Sequence, residues 1–399
     1  MKHPLLVTVV LCGSALSSDL WADKKFVDCG RGQSLNQALK NLNNGDTLGF
    51  TGTCKESVAI PVSGITLAGQ GTAIISPPNT SSEGVDISGV QRVTLQNFTV
   101  QNASFGIHAL AGAGITLQGI VAQNNAASGI LVESNSSAYL ANVSSQGNGL
   151  HGIDLENTSS LICNGNVLAQ QNGVFGVNIA TTSSATVNVG TMTAQQNALG
   201  IQVSINSSFF LSNPAAAVKA SNNFTVGLTM VSGAHFFSFG GTITTSGNGL
   251  DGIDLASRAG MDLDAASQAS SFNNGRDGLH LEQLSLVNLF NNPMFSGVPG
   301  STMIQVYGNS ANGVSLLNNS QLHMFDQAAV QSHNNTGGGI QVDDGSSLLL
   351  INSTVQSNQT DIALTFGSRG DLTKNTIGTL KCDASSLLRG DTGKTCPAP

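Results

Sequence analysis

Apolar and polar residues follow one recurring pattern along most of this 399-residue chain. The pattern is Asn, three variable residues, Gly, and then an apolar, a variable and an apolar residue. It begins at Asn102, Asn125, Asn148, Asn172, Asn223, Asn248, Asn274, Asn309 and Asn335. Gly84 and Gly200 keep the apolar half, with a degraded Asn position. Successive glycines lie 22 to 27 residues apart, with one interval of 35. A period of this length predicts a solenoid.

Three short apolar segments make up each repeat. The apolar residues alternate after each glycine, as in Ile153-Asp-Leu155, and alternate again in a second segment such as Ile115-Thr-Leu117. A third patch, such as Val121, leads into the next Asn. Alternation is the period of a half-buried strand, and no helical pattern separates the segments. The sequence therefore predicts an all-β, right-handed parallel β-helix solenoid of about 11–12 coils.

The recurring Asn and Gly are interpreted as scaffold. Glycine is expected to permit a positive φ at the corner that enters each strand. Asn side chains at equivalent positions are expected to bond to one another from coil to coil as an amide ladder.

The two ends of the chain differ from the repeats. Residues 1–22 have a short positive region and an apolar core that is too short to cross a membrane, which predicts a cleaved signal peptide and a secreted protein without membrane insertion. Residues 23–57 are predicted to form an N-terminal cap with an amphipathic helix near Ser34 to Leu42. The repeats are expected over 58–370, and a C-terminal cap or tail over 371–399.

The cysteine positions predict one disulfide bond near each end of the chain. Cys29 and Cys54 bracket the first segment, and Cys382 and Cys396 bracket the last, so we expect a disulfide within each pair. Cys163 alternates with an apolar neighbour, which indicates a buried free thiol; a catalytic cysteine is the alternative.

The net charge of −8 without a basic cluster argues against a nucleic-acid partner.

Two groups of polar residues are candidates for chemistry, because the position between the two apolar strand residues is expected to face solvent. The first group is Glu133, Asp154 and Glu156, with His151 at the adjoining corner. The second is Asp254, His280 and Glu282, with Asp251, Arg258, Arg276 and Asp277 nearby. Neighbouring carboxylates can serve as acid and base on a glycosidic bond, or can hold Ca²⁺. Charge that only keeps an open sheet soluble is the alternative.

The aromatic segment His235 to Phe239 is interpreted as core, with a sugar platform as the alternative.

The coils at Gly152–Leu155, Gly252–Leu255 and Gly339–Val342, with the leader from Cys29 to Cys54, resemble the right-handed parallel β-helix repeat proteins of the pectin-lyase-like superfamily. The resemblance covers residues 27–380. It is closest to secreted members without an assigned activity. Members with known chemistry are mostly polysaccharide lyases, hydrolases, epimerases and esterases, so the resemblance implies the fold rather than one activity. The polygalacturonase-type catalytic set and the Asp-Pro-His-Asp element of alginate epimerases are absent here.

The sequence is consistent with two functions. The first is a binding or scaffold module at an extracellular surface, with a polysaccharide or a cell-surface component as partner. The alternative is a polysaccharide lyase or hydrolase that uses Asp254, His280 and Glu282 as catalytic residues. The predicted binding residues are Asp154, Glu156, Glu133, His151, Arg258 and Arg276. No cofactor is required by the pattern, and Ca²⁺ is the candidate.

Overall fold

The chain folds as a right-handed parallel β-helix. The computed structural model describes residues 24–70, 72–291, 300–391, 393 and 395–397. The predicted signal peptide at 1–22 lies outside these residues. Each coil passes through three parallel sheets in the same order, and each strand pairs with its equivalents in the coils on either side.

The first sheet holds the strands that follow the recurring glycines. Its strands are Val58–Ala59, Val85–Ser88, Ile107–Leu110, Ile130–Val132, Ile153–Leu155, Phe175–Ile179, Leu199–Val203, Leu228–Met230, Ile253–Leu255, Leu279–Leu281, Val314–Leu316, Gly338–Val342, Thr360–Leu364 and Leu380–Cys382.

The second and third sheets share the strand Ser184–Gln195. The other strands of the second sheet are Lys24–Asp28, Thr47–Thr51, Thr66–Gly69, Val93–Gln96, Gly114–Gln118, Ser137–Ala141, Ser160–Asn164, Ser208–Leu211, His235–Phe239, Gly260–Asp264, Leu286–Leu289, Gln321–Met324, Ser347–Ile351, Arg369–Thr373 and Leu387–Gly390. The others of the third are Thr53–Cys54, Ile74–Ile75, Thr99–Gln101, Val121–Gln123, Val143–Gln146, Val167–Gln170, Ala216–Ser221, Thr242–Ser246, Gln268–Phe272, Met303–Tyr307, Ala329–His333, Thr354–Gln356 and Thr376–Ile377.

Alternating apolar side chains fill the interior. Ile153 and Leu155 are buried and pair in register with Val177 and Ile179 of the next coil. The same positions are apolar in coil after coil, so the buried side chains form one continuous core. Each coil therefore depends on its neighbours for burial, as expected for a solenoid.

The coil number is higher than the sequence pattern indicated. The first sheet has 14 strands among the described residues. Coils near the ends, with first-sheet strands such as Val58–Ala59 and Leu380–Cys382, lack the Asn–Gly pattern on which the count of about 11–12 was based. Strands continue to Gly390, beyond residue 370.

The predicted Asn ladder is confirmed at the corner between the third and first sheets. Asn148 Nδ2 donates to Asn172 Oδ1, and Asn172 Nδ2 donates to Asn197 Oδ1, both at 2.9 Å. The continuous ladder consists of Asn125, Asn148, Asn172, Asn197, Asn223, Asn248, Asn274, Asn309, Asn335 and Asn358. These amides satisfy buried hydrogen-bonding groups that water cannot reach.

Two assignments at this corner are corrected. Asn102 is not in the ladder: Ala103 occupies that position, and its backbone N donates to Asn125 Oδ1 at 3.1 Å. Asn102 instead has a left-handed backbone with φ 56°. Asn197, which looked degraded because it lies only three residues before Gly200, is a full member.

The recurring glycines do not have the positive φ predicted from the sequence. Gly200 has a negative or extended φ, whereas Gln196, just before the ladder residue, has φ 56°. A Cβ on Gly200 would lie 2.2 Å from the carbonyl oxygen of Gly227 and 2.7 Å from Nδ2 of Asn223. Glycine is required because neighbouring coils approach too closely for a side chain.

The N-terminal segment contains a five-residue helix, Leu35–Leu39. Ser34 caps it by accepting a hydrogen bond from Gln37 N at 3.3 Å, and Leu35 N donates to Glu56 Oε1 at 2.6 Å. Leu35 and Leu39 are buried, which matches the predicted amphipathic spacing. The role of this short helix as a solenoid cap stays a prediction.

Both predicted disulfides are present, Cys29–Cys54 and Cys382–Cys396. Cys163 is a buried free thiol, and burial raises its pKa to about 12. A thiol with so high a pKa supplies little thiolate near neutral pH, which argues against the catalytic alternative.

Within the part of the chain that the structure describes, no helix is long and apolar enough to cross a membrane.

Candidate functional site

The outward positions of the first sheet form one column of side chains. Eight consecutive members can hydrogen-bond: Asp154, Asn178, Gln202, Thr229, Asp254, His280, Ser315 and Gln341. The sequence pattern had suggested that these side chains face solvent, but they are not fully solvated. Asp154 is 6% exposed and His280 is 7% exposed, whereas Gln202, Asp254 and Gln341 are half-buried. Each side chain is covered by its equivalents in the neighbouring coils, about 4.8 Å away.

The first predicted group is brought together around Asp154. Asn178 Nδ2 donates to Asp154 Oδ1 at 2.8 Å, and His151 Nε2 lies 3.9 Å from Asp154 Oδ2. Burial raises the pKa values of Asp154 and Glu156 and lowers that of His151. The charge of Glu133 contributes to the increase for both carboxyl groups. The hydrogen bonds of Asp154 go to Asn178 and Ser128, outside the predicted group.

Sequence reasoning missed the bridge that extends this group towards the N-terminus. His108 Nδ1 lies 2.8 Å from Glu83 Oε1, and His108 Nε2 lies 2.9 Å from Glu133 Oε1. Both contacts are hydrogen bonds only when both ring nitrogens are protonated or when one carboxyl group carries the proton. His108 occupies the outward position of the strand Ile107–Leu110, but nothing in the repeat pattern placed Glu83, which precedes a strand, against it.

The second predicted group contains two paired sets of charges. Arg276 Nε donates to Asp251 Oδ1 at 2.7 Å, and Arg276 Nη2 bonds to the other oxygen of this fully buried carboxylate. His280 Nδ1 lies 3.0 Å from Asp277 Oδ2, and Asn312 N donates to Asp277 Oδ1 at 2.8 Å. Asp251 and Asp277 therefore organise this group, although the sequence pattern placed them only at its edge.

The three predicted catalytic residues adjoin this network. Asp254 and His280 occupy paired positions on neighbouring strands, and Thr229 Oγ1 donates to Asp254 Oδ2 at 3.2 Å. His280 Nε2 lies 3.9 Å from Glu282 Oε2. Burial raises the pKa of Asp254, and the positive charge of His280 offsets this only in part.

His280 is biased towards its protonated form. Burial alone would lower its pKa, but the hydrogen bond to Asp277 and the charge of Asp251 outweigh burial and raise it. A protonated imidazole can donate a hydrogen bond or a proton, and it is a poor base.

Stability should depend on this imidazolium. Because the folded-state pKa of His280 is raised, its contribution is complete below the ordinary value and is lost as the pH rises through the folded-state value. We expect His280→Gln to lower the free energy of unfolding by about 1.5 kcal/mol near pH ~5.5 and by much less near pH ~9. Urea unfolding at both pH values measures this difference. An equal loss at the two pH values would contradict the protonated assignment.

The predicted binding residue Arg258 lies apart from the second group. It lines a cleft of about 520 Å³ with Asn206, Ser257, Gln283 and Leu284. Since Arg258 is exposed, its guanidinium is available to solvent there.

Asp251, Asp277 and His280 are close enough to share a metal ion, with one ligand atom from each within 4.8 Å of the others. Their donor set fits Ca²⁺ poorly, because Ca²⁺ takes six to eight oxygen ligands and both oxygens of each carboxylate already accept hydrogen bonds here. Ca²⁺ as a cofactor stays a prediction.

The aromatic segment divides between the core and the surface. Phe236 is buried, with its ring edge-on to Phe209 at 5.2 Å, which confirms the core interpretation for this residue. Phe237 faces outward and stacks on Phe210 at 5.1 Å. His235 Nε2 lies 3.7 Å from Asp262 Oδ2, and burial lowers the pKa of His235. Sequence reasoning missed this His–Asp contact because its residues lie on separate coils without a shared motif.

Comparison with known proteins agrees with this fold. Residues 63–225 match the family model described as "Right handed beta helix region". The match and the three-sheet solenoid confirm the predicted resemblance to right-handed parallel β-helix proteins. No curated protein sequence matches the chain.

Several solved structures of polysaccharide-active proteins have a similar backbone fold. The A-module of the Azotobacter vinelandii mannuronan C-5 epimerase AlgE6 is 13% identical, over 91% of this chain and 93% of that one, with a TM-score of 0.48. The periplasmic alginate epimerase AlgG is 11% identical, over 92% and 83%, with a TM-score of 0.40. Pectate lyase Pel9A is 13% identical, over 92% and 76%, with a TM-score of 0.26.

Proposed function

We propose that this protein is a secreted, non-catalytic module that binds neutral polysaccharide along its first sheet. Two disulfides support an oxidising compartment outside the cytosol. The predicted signal peptide is consistent with the same location.

The observation that carries the proposal is the eight-coil column of hydrogen-bonding side chains. Its members recur once per coil, so the column is roughly 34 Å long at about 4.8 Å per coil. A polysaccharide is also a linear repeat, and its units can meet equivalent groups on successive coils. Gln202, Asp254 and Gln341 are the half-buried members that retain contact with solvent.

Charge around the column favours a neutral polymer. Glu133, Glu156 and Glu282 are half-buried and lie on the strands or corners that carry the column. The chain as a whole has a net charge of −8. An acidic polymer would be repelled by this surface unless cations intervened.

Two charged residues in or beside the column are held in pairs. Arg276 is engaged with Asp251, and His280 is engaged with Asp277. The bond to Asp277 occupies only Nδ1 of His280, so Nε2 can still donate a hydrogen bond to a sugar hydroxyl.

Retention by immobilised neutral polysaccharide tests the proposal. We expect the wild-type protein to be retained and Gln202→Ala combined with Gln341→Ala to bind roughly tenfold more weakly, because two accessible hydrogen-bonding groups of the column are removed. The double substitution of the third-sheet residues Gln123→Ala and Gln146→Ala is the matched control, and it should leave retention unchanged. Equal retention of all three proteins would show that the first sheet is not the binding surface.

A polysaccharide lyase or hydrolase is the second candidate, and the raised pKa of Asp254 next to a protonated His280 favours it. A protonated carboxyl group can act as a general acid, with Glu282 as the second carboxylate. Product formation that disappears in both Asp254→Asn and His280→Ala would establish this alternative. Products that persist in both variants would remove these residues from the mechanism.

A further inference from the structure

A cleft of about 650 Å³ lies at the corner between the third and first sheets, on the coils that carry Asn172, Asn197 and Asn223. Its lining residues are Gln171, Asn172, Gly173, Gln196, Ala198, Asn222 and Phe224. None of them carries a charge. The cleft is separate from the acidic groups of the first sheet.

Phe224 forms one wall of this cleft. Its side chain is 80% exposed, more than any other large apolar residue that the structure describes. Phe224 follows the ladder residue Asn223, and the same position in the two preceding coils is occupied by Gly173 and Ala198. In the next coil it is Gly249. The phenylalanine ring therefore has no large neighbour in its own column to cover it.

Close packing of the backbone explains the glycines of this column. A Cβ on Gly173 would lie 2.1 Å from the carbonyl oxygen of Gly149, and a Cβ on Gly249 would lie 2.1 Å from the carbonyl oxygen of Phe224. No side chain can therefore stand at position 249 next to Phe224, and Ala198, the neighbour on the other side, has only a methyl group. These small neighbours leave open space beside the exposed aromatic ring.

Three amide side chains also line the cleft. Gln171, Gln196 and Asn222 precede consecutive ladder residues, and each has a left-handed backbone, with φ values of 55°, 56° and 54°. All three side chains are exposed, and none of them makes a hydrogen bond to another described residue. In the coils on either side, this position is occupied by Gly147 and Gly247. Glycine on either side therefore bounds this run of three amides, and the next amides at this position, Asn124 and Asn273, lie in coils beyond those glycines.

We propose that this cleft binds one neutral sugar ring of a polysaccharide, an inference that rests on the function proposed above. The apolar C–H face of a pyranose can pack against the exposed Phe224 ring. Its hydroxyl groups can donate to and accept from the free amides of Gln171, Gln196 and Asn222, which offer both kinds of atom. A charged sugar finds no counter-ion among the lining residues. A few placed polar groups beside an apolar surface are typical of small-ligand sites.

Affinity electrophoresis of the full-length mature protein tests the site. Gels would contain galactomannan, soluble β-glucan or dextran as neutral probes, and polygalacturonate as the acidic probe. We expect Phe224→Ala to weaken binding to the retained neutral polymer by about tenfold or more, because one exposed aromatic contact is lost. Ala198→Leu should have a similar effect by filling the space beside the ring. Phe366→Ala is the matched control, since Phe366 is also highly exposed, at 68%, and lies elsewhere.

The outcomes separate this site from the first-sheet proposal. Weaker binding by Phe224→Ala and Ala198→Leu, with unchanged binding by Phe366→Ala and unchanged urea midpoints, supports the cleft. Wild-type affinity in Phe224→Ala overturns the cleft; if the first-sheet variants still lose binding, the proposed function stands. Retardation only by polygalacturonate overturns the neutral class. No retardation of the wild-type protein by any polymer overturns both proposals.

Discussion

Replacement of Asn197 by Ala should lower the free energy of unfolding by about 3 kcal/mol. The Asn197 side chain is fully buried, and its Oδ1 accepts from both the backbone N and Nδ2 of Asn172 at 2.9 Å. Its Nδ2 also donates to the carbonyl oxygen of Ala169 at 3.1 Å. Alanine would leave these partners buried without hydrogen bonds. Urea unfolding followed by circular dichroism measures the loss.

A second amide ladder supplies the control. Gln170 lies on the third sheet in the preceding coil, where its Nε2 donates to Gln146 at 2.8 Å and its Oε1 accepts from Gln195 at 3.0 Å. These side chains are only half-buried, so water can replace the lost bonds in Gln170→Ala, and the expected loss is below about 1 kcal/mol. Equal losses in the two variants would show that burial does not give the Asn ladder its importance.

Replacement of Arg276 by Ala should cost about 2 kcal/mol, because Asp251 would remain buried without its cation. The side chain of Asp251 is fully buried, whereas that of Arg276 is 45% exposed. Exposure of the guanidinium to solvent keeps the expected loss below that for a fully buried pair. The backbone N of Asp277, which donates to Asp251 Oδ1 at 3.0 Å, would still stabilise the carboxylate in part.

The exposed residue Arg258, which lies apart from this group, provides the matched control. Arg258→Ala should change the free energy of unfolding by less than about 0.5 kcal/mol. Asp251→Asn combined with Arg276→Ala should recover part of the stability lost in Arg276→Ala, because the unpaired charge is removed. A loss below about 0.5 kcal/mol for Arg276→Ala would show that Asp251 does not need this partner.

The sequence period was sufficient to predict the solenoid. Alternating residues such as Ile153 and Leu155 lie in the interior, and Asn148 and Asn172 bond as the repeat implies. In a solenoid, equivalent residues must stack, so a one-dimensional repeat specifies the three-dimensional neighbours. Asn197 lies three residues before its glycine instead of four, yet it belongs to the ladder. The ladder therefore tolerates a corner that is one residue shorter.

The sites were less predictable because they depend on residues outside the repeat. Glu83 contacts His108 from the loop before a strand, and Asp251 contacts Arg276 across a corner. Strand alternation does not describe corner geometry. It also did not show that outward residues such as His280 would be covered by neighbouring side chains. The exposure of Phe224 depends on the small residues in its column, which could be recognised only after the coils were aligned.

The most direct test of a non-catalytic binding function combines retention and product analysis on one sample. Mature protein with intact Cys29–Cys54 and Cys382–Cys396 disulfides would be incubated with neutral and acidic polysaccharides, with and without Ca²⁺. Retention, reducing ends and unsaturated products would be followed together. We predict retention by a neutral polysaccharide without either product. Reducing ends or unsaturated products from the wild-type protein would contradict the account and identify an enzyme, and the absence of retention from a folded sample would contradict polysaccharide binding.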